Sequence, residues 1–435
     1  MNLENIHKAH FIGIGGVGMS AMAKYLLHKG IAVSGSDRNS SYITDDLVDN
    51  YDVDFWEGVA EERISKDTDI VIYSPAVPEH DPEYMRGTEL GIPLLSYPEM
   101  LGKVSSDKTT IAISGTNGKT TTTSMIIEVM KHLGEDPTGI VGALLQKWNS
   151  NFIPGNSEYF VTEACEYKES FLNIHHDVLV VTNVTEDHLD YFKDIEHIKE
   201  TFIKFVDNTK GSGTLVCDSS LTNLKEIIEK AESLGMNIID YGKYIHEGIE
   251  LSIPGNHNVQ NAAATLGVIE ALNLNIESAK DYLKKHFQGA KRRMEHVGMT
   301  KNGIQLFDDY AHNPEGLEYL ISGLRDYYPE KKIIMLFEPH LYSRTRDFKE
   351  AFGKALEVVD ILYLFPTYRA REPEIPQENF LLEQYINTSN VELISVPEPK
   401  NFVRLFESMH YSNDYLVISA GAGDIWKYSH ALKEI

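Results

Sequence analysis

Residues 109–134 read TTIAISGTNGKTTTTSMIIEVMKHLG. The first six are β-branched and apolar, as in a buried strand. Gly115 to Gly118 then make a turn, and a helical apolar period follows from Lys119. Strand, glycine turn and helix in that order form a phosphate loop. The full pattern G-x-x-x-x-G-K-[ST] would need glycine at 113, where Ile113 stands, so this is the shortened form G-T-N-G-K-T. On that reading the turn Gly115, Thr116, Asn117 and Gly118 would cradle phosphate, Lys119 would reach the β/γ-phosphates, and the Thr120 hydroxyl would ligate Mg²⁺. Threonine is a poor helix former but suits a first turn that bonds phosphate, which explains Thr120 and Thr121 at a helix start. A merely structural turn is the competing reading.

A second glycine turn lies upstream. Gly13-Ile-Gly15-Gly16-Val17-Gly18 matches G-x-G-x-x-G between an apolar run, His10 to Ile14, and a periodic stretch through Leu27. Asp37 closes the next strand, where a ribose-binding acid sits. The motif places a diphosphate near this turn but does not distinguish NAD from a nucleotide sugar, and the glycines could serve only to tighten the turn.

Further strands are expected at Ile31–Asp37, Asp69–Pro75, Tyr159–Cys165 and Asp177–Val184, and a helix at Asn258–Leu272. Beyond Lys291 come four more strands, IQLFDDY, KKIIMLFEPH, DILYLFPTY and DYLVISAGAG. Alternation of such strands with amphipathic stretches predicts an α/β fold with largely parallel sheets. The polar stretch Gly102–Lys108 reads as a linker. Three domains are expected, spanning 1–104, 105–290 and 291–435.

Composition agrees with that division. The chain has 435 residues, 42% hydrophobic and 24% charged, enough for about three domains. Its net charge of −25 repels polyphosphate at long range, which argues against a nucleic-acid partner. An anionic ligand must therefore be caught locally by glycine loops, helix N-termini and a few cations. Two cysteines, Cys165 and Cys217, are too few for a disulfide framework and suit a reducing compartment. Without a secretory pattern at the N-terminus or an apolar run of about 20 residues, a soluble cytoplasmic protein with no membrane insertion is expected.

An ATP site also needs acids for metal. Glu163 and Glu166 end the strand YFVTEAC, and Asp187-His188-Leu189-Asp190 follows DVLVVTNV. Carboxylates there suit Mg²⁺, whereas histidine is an unusual ligand for so hard an ion. Taken alone, His188 would more often be a loop residue. His175 and His176 read as surface residues.

Several segments in order resemble the Mur ligase family of peptidoglycan assembly: FIGIGGVGMSAMA with SGSD, GTNGKTTTT, TEACEYKESFL, TNVTEDHLDYF, IPGNHNVQNAAA, GAKRRMEHVG, DDYAHNPE, EPHLYSRTRDF and SAGAGDI. The match runs from about residue 9 to 427 and is strongest to the alanine-adding branch. It implies an N-terminal Rossmann-like domain for a UDP-sugar, a central P-loop ATPase domain and a C-terminal Rossmann-like domain for the amino acid. The implied reaction joins L-alanine to the lactyl carboxylate of UDP-N-acetylmuramate using ATP and Mg²⁺. A recycling ligase that attaches a murein tripeptide to the same sugar is the alternative.

The resemblance also assigns residues. Gly13, Gly15, Gly16, Val17, Gly18 and Asp37 would hold the UDP-sugar. Lys119 would bind ATP phosphates, with Thr120, Glu163 and His188 as metal ligands. Asn258 and Asn261 resemble the adenine contacts, and Arg293 and Asp309 the third-domain residues that close over the nucleotide. Tyr310, His312, His340 and Arg344 resemble the L-alanine pocket, and the fork of Arg344 suits a carboxylate. His340 or His312 would take the amine proton. Alternatives without the resemblance are a solvated Arg292–Arg293 pair and surface salt bridges for Arg344 and Arg346. The branch usually carries histidine at the positions of Asn117 and Asn313. Many family members carry a carbamylated lysine, and Lys199 and Lys204 lie in that neighbourhood.

Overall fold

The structure is a computed structural model that describes residues 5–188, 191–251, 253, 255–370, 372–373 and 381–435. It is mixed α/β and contains three sheets. The chain divides into two compact units, Met1–Glu250 with Gln260–Phe287, and Leu251–Val259 with Gln288–Ile435.

The first unit carries two sheets. Strands β1 (Lys8–Ile12), β2 (Ala32–Asp37), β3 (Asp54–Glu57), β4 (Ile70–Tyr73) and β5 (Leu94–Ser96) pair in the order β3-β2-β1-β4-β5, all parallel. The order reverses beside β1, so the turn after β1 opens at the crevice where open α/β sheets bind ligands. The second sheet comprises β6 (Thr109–Ser114), β7 (Thr138–Leu145), β8 (Ser150–Ile153), β9 (Tyr159–Glu163), β10 (His176–Val181), β11 (Thr209–Cys217) and β12 (Asn237–Asp240). Its order is β12-β11-β10-β6-β9-β7-β8, parallel except for the hairpin β7–β8. Strand β6 lies between β10 and β9, with Ile111, Ala112 and Ile113 fully buried, so the phosphate loop leaves the middle of a rigid sheet. The helix Val17–His28 packs on β7 and β8, and Asn151 of β8 donates to Val17 O at 2.7 Å and Ser20 Oγ at 2.8 Å.

The second unit has strands β13 (Glu295–Met299), β14 (Gln305–Asp309), β15 (Lys332–Phe337), β16 (Ile361–Leu364), β17 (Glu392–Ser395) and β18 (Tyr415–Ala420). They pair as β13-β14-β18-β15-β16-β17, parallel apart from β13. The four expected strands are β14, β15, β16 and β18; β13 and β17 are additional edge strands.

Two expectations need correction. The linker Gly102–Lys108 is helical in its first half, because the helix Tyr97–Ser105 runs through it. Ser96 and Glu99 form its capping box, Leu101 and Val104 are buried, and Gly102 packs so close to the Asn173 carbonyl that a Cβ would stand 2.1 Å away. His176 is not on the surface: it is fully buried in β10, with Nε2 at 3.0 Å from the Phe205 carbonyl. Burial holds its pKa down to about 4, against the raising effect of that carbonyl, so it is neutral at physiological pH. His175 is exposed as expected.

Candidate active site

Gly115 and Gly118 have φ of +127° and +86°, conformations that L side chains rarely adopt. Space forbids a side chain as well: a Cβ would lie 2.1 Å from Thr182 Oγ1 at Gly115 and 2.4 Å from Asn261 Oδ1 at Gly118. The loop is held from β10's exit. Asn117 N–H donates to Asn183 Oδ1 at 2.9 Å, Thr182 Oγ1 donates to Asn117 O at 2.6 Å, and Thr185 N–H donates to Thr116 Oγ1 at 2.9 Å. The helix Lys119–His132 follows with no side-chain cap, leaving its positive end for an anion.

Lys119 Nζ lies 2.9 Å and 3.1 Å from the two oxygens of Glu166, whose side chain is 2% exposed, and bonds the Thr116 carbonyl at 3.2 Å. Burial works to lower the Lys119 pKa, but the Glu166 carboxylate and its hydrogen bonds outweigh it and the net shift is upward. The ammonium is charged. Glu166, a candidate metal carboxylate from the sequence, is engaged with Lys119 instead.

Thr120 Oγ1 donates to Glu163 Oε2 at 3.0 Å, and Glu163 Oε1 accepts from Gly142 N–H at 2.6 Å. These oxygens are the hard donors Mg²⁺ prefers. His188 lies on the loop after β10 at φ +52°, its ring 4.6 Å from that of Tyr167, and its backbone N–H donates to Asp187 Oδ1. Among the described residues no three His, Cys, Asp or Glu side chains converge as a metal site. Asp190, named with His188 in the sequence reading, lies outside the described residues. Lys199 pairs with Glu196 and Glu226, and Lys204 with Glu169. Asn258 and Asn261 share the helix Asn256–Ala271, and both are buried. Thr122 Oγ1 ties Asn261 Oδ1 to the phosphate-loop helix at 3.1 Å.

In the upstream turn, Gly15 N–H donates to Asp37 Oδ2 at 2.8 Å, so the expected ribose acid touches the expected diphosphate cradle. Gly13 has φ +82°, and Gly16 precedes the helix Val17–His28.

The second unit gathers aromatic rings at the exits of β14 and β15. Tyr310 meets His312 edge-on at 5.1 Å, His312 meets His340 at 6.0 Å, and His340 stacks on Tyr368 at 5.7 Å. Arg292 and Arg293 each lie 5.1 Å from the Tyr310 ring, a cation–π distance. Arg292 is not a solvated residue: its Nε lies 3.1 Å from Asp308, whose side chain is 1% exposed. Burial pushes Asp308 up to about 7 while Arg292 opposes that shift. Asp309 accepts from Met294 N–H and Ala311 N–H, both at 2.7 Å. Arg344, in the helix Tyr342–Asp347, makes no side-chain ion pair among the described residues, whereas Arg346 forms an exposed pair with Asp347.

These features have counterparts in known proteins. The descriptions "Mur ligase family, catalytic domain", "Mur ligase middle domain" and "Mur ligase, glutamate ligase domain" match residues 8–109, 113–248 and 292–423. The UDP-N-acetylmuramate–L-alanine ligase of Clostridium acetobutylicum is 37% identical, covering 97% of this chain and 96% of its own. The chain belongs to the Mur ligase family. The ligase of the same name from Clostridium kluyveri is 36% identical over 97% of this chain and 96% of its own. In fold, this Mur ligase is similar to the UDP-N-acetylmuramate–alanine ligase of Thermotoga maritima, with a TM-score of 0.80 at 24% identity over 98% of each chain. A murein peptide ligase of Psychrobacter arcticus gives 0.71 at 20% identity over 99% of each.

Several contacts of this Mur ligase escape its sequence: Glu166 as the partner of Lys119, Asn183 bracing Asn117, Asp308 holding Arg292, and Tyr368 on His340. Only Glu166 had a local signal, its place at the end of a strand beside the phosphate loop.

Proposed function

We propose that this Mur ligase joins L-alanine to the lactyl carboxylate of UDP-N-acetylmuramate, with conversion of ATP to ADP and phosphate, in peptidoglycan precursor synthesis. The observation that carries the reading is 37% identity to a ligase of that name over nearly the whole of both chains. The further curated relatives from Clostridium kluyveri and Clostridium tetani, both 36% identical, bear the same name, which favours alanine over a tripeptide acceptor.

A carboxylate does not condense with an amine in water, so it must first be activated. Its oxygen attacks the γ-phosphorus of ATP, the bond to ADP breaks, and an acyl phosphate results. The amine nitrogen of L-alanine then attacks the acyl carbon, phosphate departs, and an amide remains. Two anions must approach each other in the first step. Lys119 and the open N-terminus of the helix Lys119–His132 stabilise that approach electrostatically. Thr120 and Glu163 would hold Mg²⁺, with His188 as a third ligand, and a bound ion would supply neutralisation of phosphate charge.

Gly115 to Thr121 hold the triphosphate, Asn258 and Asn261 the adenine, and Arg293 and Asp309 complete the nucleotide site. Gly13 to Gly18 and Asp37 hold the UDP moiety. Tyr310, His312, His340 and Arg344 receive L-alanine; Arg344 takes its carboxylate, and His340 accepts the proton that frees the amine for attack. The domains assigned to these tasks are 1–104, 105–290 and 291–435, and the reaction belongs to the cytoplasm.

Phosphate release with ATP, Mg²⁺ and UDP-N-acetylmuramate, comparing L-alanine, glycine, L-serine, D-glutamate and the tripeptide, tests the reading. Release that requires the sugar nucleotide and L-alanine together, with the matching mass gain on the sugar, is the expected outcome. Release only with tripeptide would reassign the enzyme to recycling.

A further inference from the structure

Tyr97 opens the helix Tyr97–Ser105 at the position fixed by the Ser96/Glu99 capping box. Its half-buried ring lies against Gly18, the last glycine of the upstream turn. A Cβ on Gly18 would stand 2.7 Å from Tyr97 Cζ and 2.9 Å from its hydroxyl oxygen. A side chain at position 18 would have to displace the Tyr97 phenol. The start of the helix Val17–His28, which carries Gly18, is pinned to the central sheet by Asn151, through Val17 O and Ser20 Oγ. The turn, the phenol and the ATP-side sheet therefore form one braced assembly.

The Tyr97 pKa is raised, first by burial and next by the Glu163 carboxylate, with Cys165 adding to both. Two conclusions follow. The phenol stays protonated at physiological pH, and it lies within electrostatic reach of the Thr120–Glu163 pair. Among the described residues its hydroxyl makes no hydrogen bond. A partly buried donor that the fold leaves unsatisfied is available to an acceptor from outside the chain. Both neighbouring cradles, the Gly13–Gly18 turn and the phosphate loop, are built for anions.

We propose that the Tyr97 hydroxyl is a substrate-binding donor that gives its hydrogen bond to an anionic oxygen of the sugar nucleotide, between the two glycine turns. This rests on the sugar-nucleotide reading above. Aspartate, glutamate or a backbone carbonyl could not serve here, because each would repel the ligand; a neutral phenol donates without adding charge.

Isothermal titration of UDP and of UDP-N-acetylmuramate, without ATP, into wild type, Tyr97→Phe and Tyr97→Ala tests the proposal. Tyr97→Phe keeps the ring on Gly18 and removes only the donor. It is expected to weaken UDP-N-acetylmuramate by about tenfold, while the KM for ATP, read from a separate phosphate-release assay, stays within about twofold. Equal weakening of UDP would identify the diphosphate as acceptor, and unchanged UDP binding the lactyl carboxylate; either supports the assignment. Wild-type affinity in Tyr97→Phe, with loss only in Tyr97→Ala, would reduce Tyr97 to packing and overturn it. Wild-type protein that binds neither ligand would instead overturn the sugar-nucleotide reading.

Discussion

Lys119 and Glu166 carry a structural and a chemical role that mutation can separate. The pair is nearly dry, with side chains 15% and 2% exposed, so removing the cation leaves a buried carboxylate without its partner. Breaking such a pair costs on the order of 3–5 kcal/mol, far more than an exposed pair. Lys119→Ala is therefore expected to abolish ligation and also to lower the unfolding midpoint. Adding Glu166→Gln removes the stranded charge and should restore most of the stability, with turnover still absent. Thermal unfolding and phosphate release on both variants check this; turnover regained in the double variant would refute the catalytic role of Lys119. The two residues show what could be read in advance. Lys119 stands in a motif whose six positions are contiguous, so its place at the turn between strand and helix was legible. Its partner was not, because β9 comes alongside β6 only through sheet topology. The same holds for Tyr97 against Gly18 and Arg292 against Asp308: each contact is set by how strands and helices meet, and no spacing rule records it.

The helix Lys119–His132 links the phosphate loop to a buried polar cluster one face away. Glu128, fully buried on it, accepts from the Tyr282 hydroxyl at 2.8 Å, and Lys147 Nζ lies 2.9 Å from the same hydroxyl. The other oxygen of Glu128, Oε1, has no hydrogen-bond partner among the described residues. Burial pushes its pKa up to about 7, with the Tyr282 bond and Lys147 opposing. An acid whose folded pKa exceeds its unfolded value binds more protons when folded, so its contribution to stability declines as pH rises from about 4.5 to about 7. Glu128→Gln keeps an acceptor for Tyr282 without a charge. Its stability relative to wild type is expected to climb across that window, reaching on the order of 3 kcal/mol by pH 8. Urea midpoints of both proteins at pH 5 and pH 8 measure this, and a pH-independent difference would show that Glu128 is not the titrating group. At this scale β1, β2, β4, β6, β9, β10, β14, β15, β16 and β18 were legible, since each is a short apolar run bounded by turn residues. Strands β3, β5, β7, β8, β11, β12, β13 and β17 were not: six of them are edge elements, and glycines interrupt β7, β11 and β13, with Gly298 of β13 at φ +140°. The helix Tyr97–Ser105 hid because its exposed polar residues resemble a linker, while its capping box and buried Leu101 and Val104 decide otherwise.

The whole molecule sets a different balance from its sites. A net charge of −25 surrounds cradles that must capture a UDP-sugar and ATP, both anions. Local attraction comes from helix N-termini and Lys119 and acts over a few ångströms, whereas the surrounding field acts over a Debye length. That length shrinks from about 30 Å at 0.01 M salt to about 8 Å at 0.15 M. At low salt an approaching sugar nucleotide therefore feels the repulsion of many surface carboxylates, and at physiological salt only those near the cradle. Association should accordingly be slowest at low ionic strength, the reverse of proteins that steer anions with a basic surface. We expect the association rate of UDP-N-acetylmuramate to rise several-fold between 0.01 and 0.15 M NaCl, with a dissociation rate that changes little, because the bound contacts are short-ranged and partly buried. Stopped-flow binding across that salt range, at constant pH and without ATP, reads both rates. A rate that falls with added salt would mean that cations around the two glycine turns outweigh the rest of the surface, and the charge excess would then be distributed away from the site.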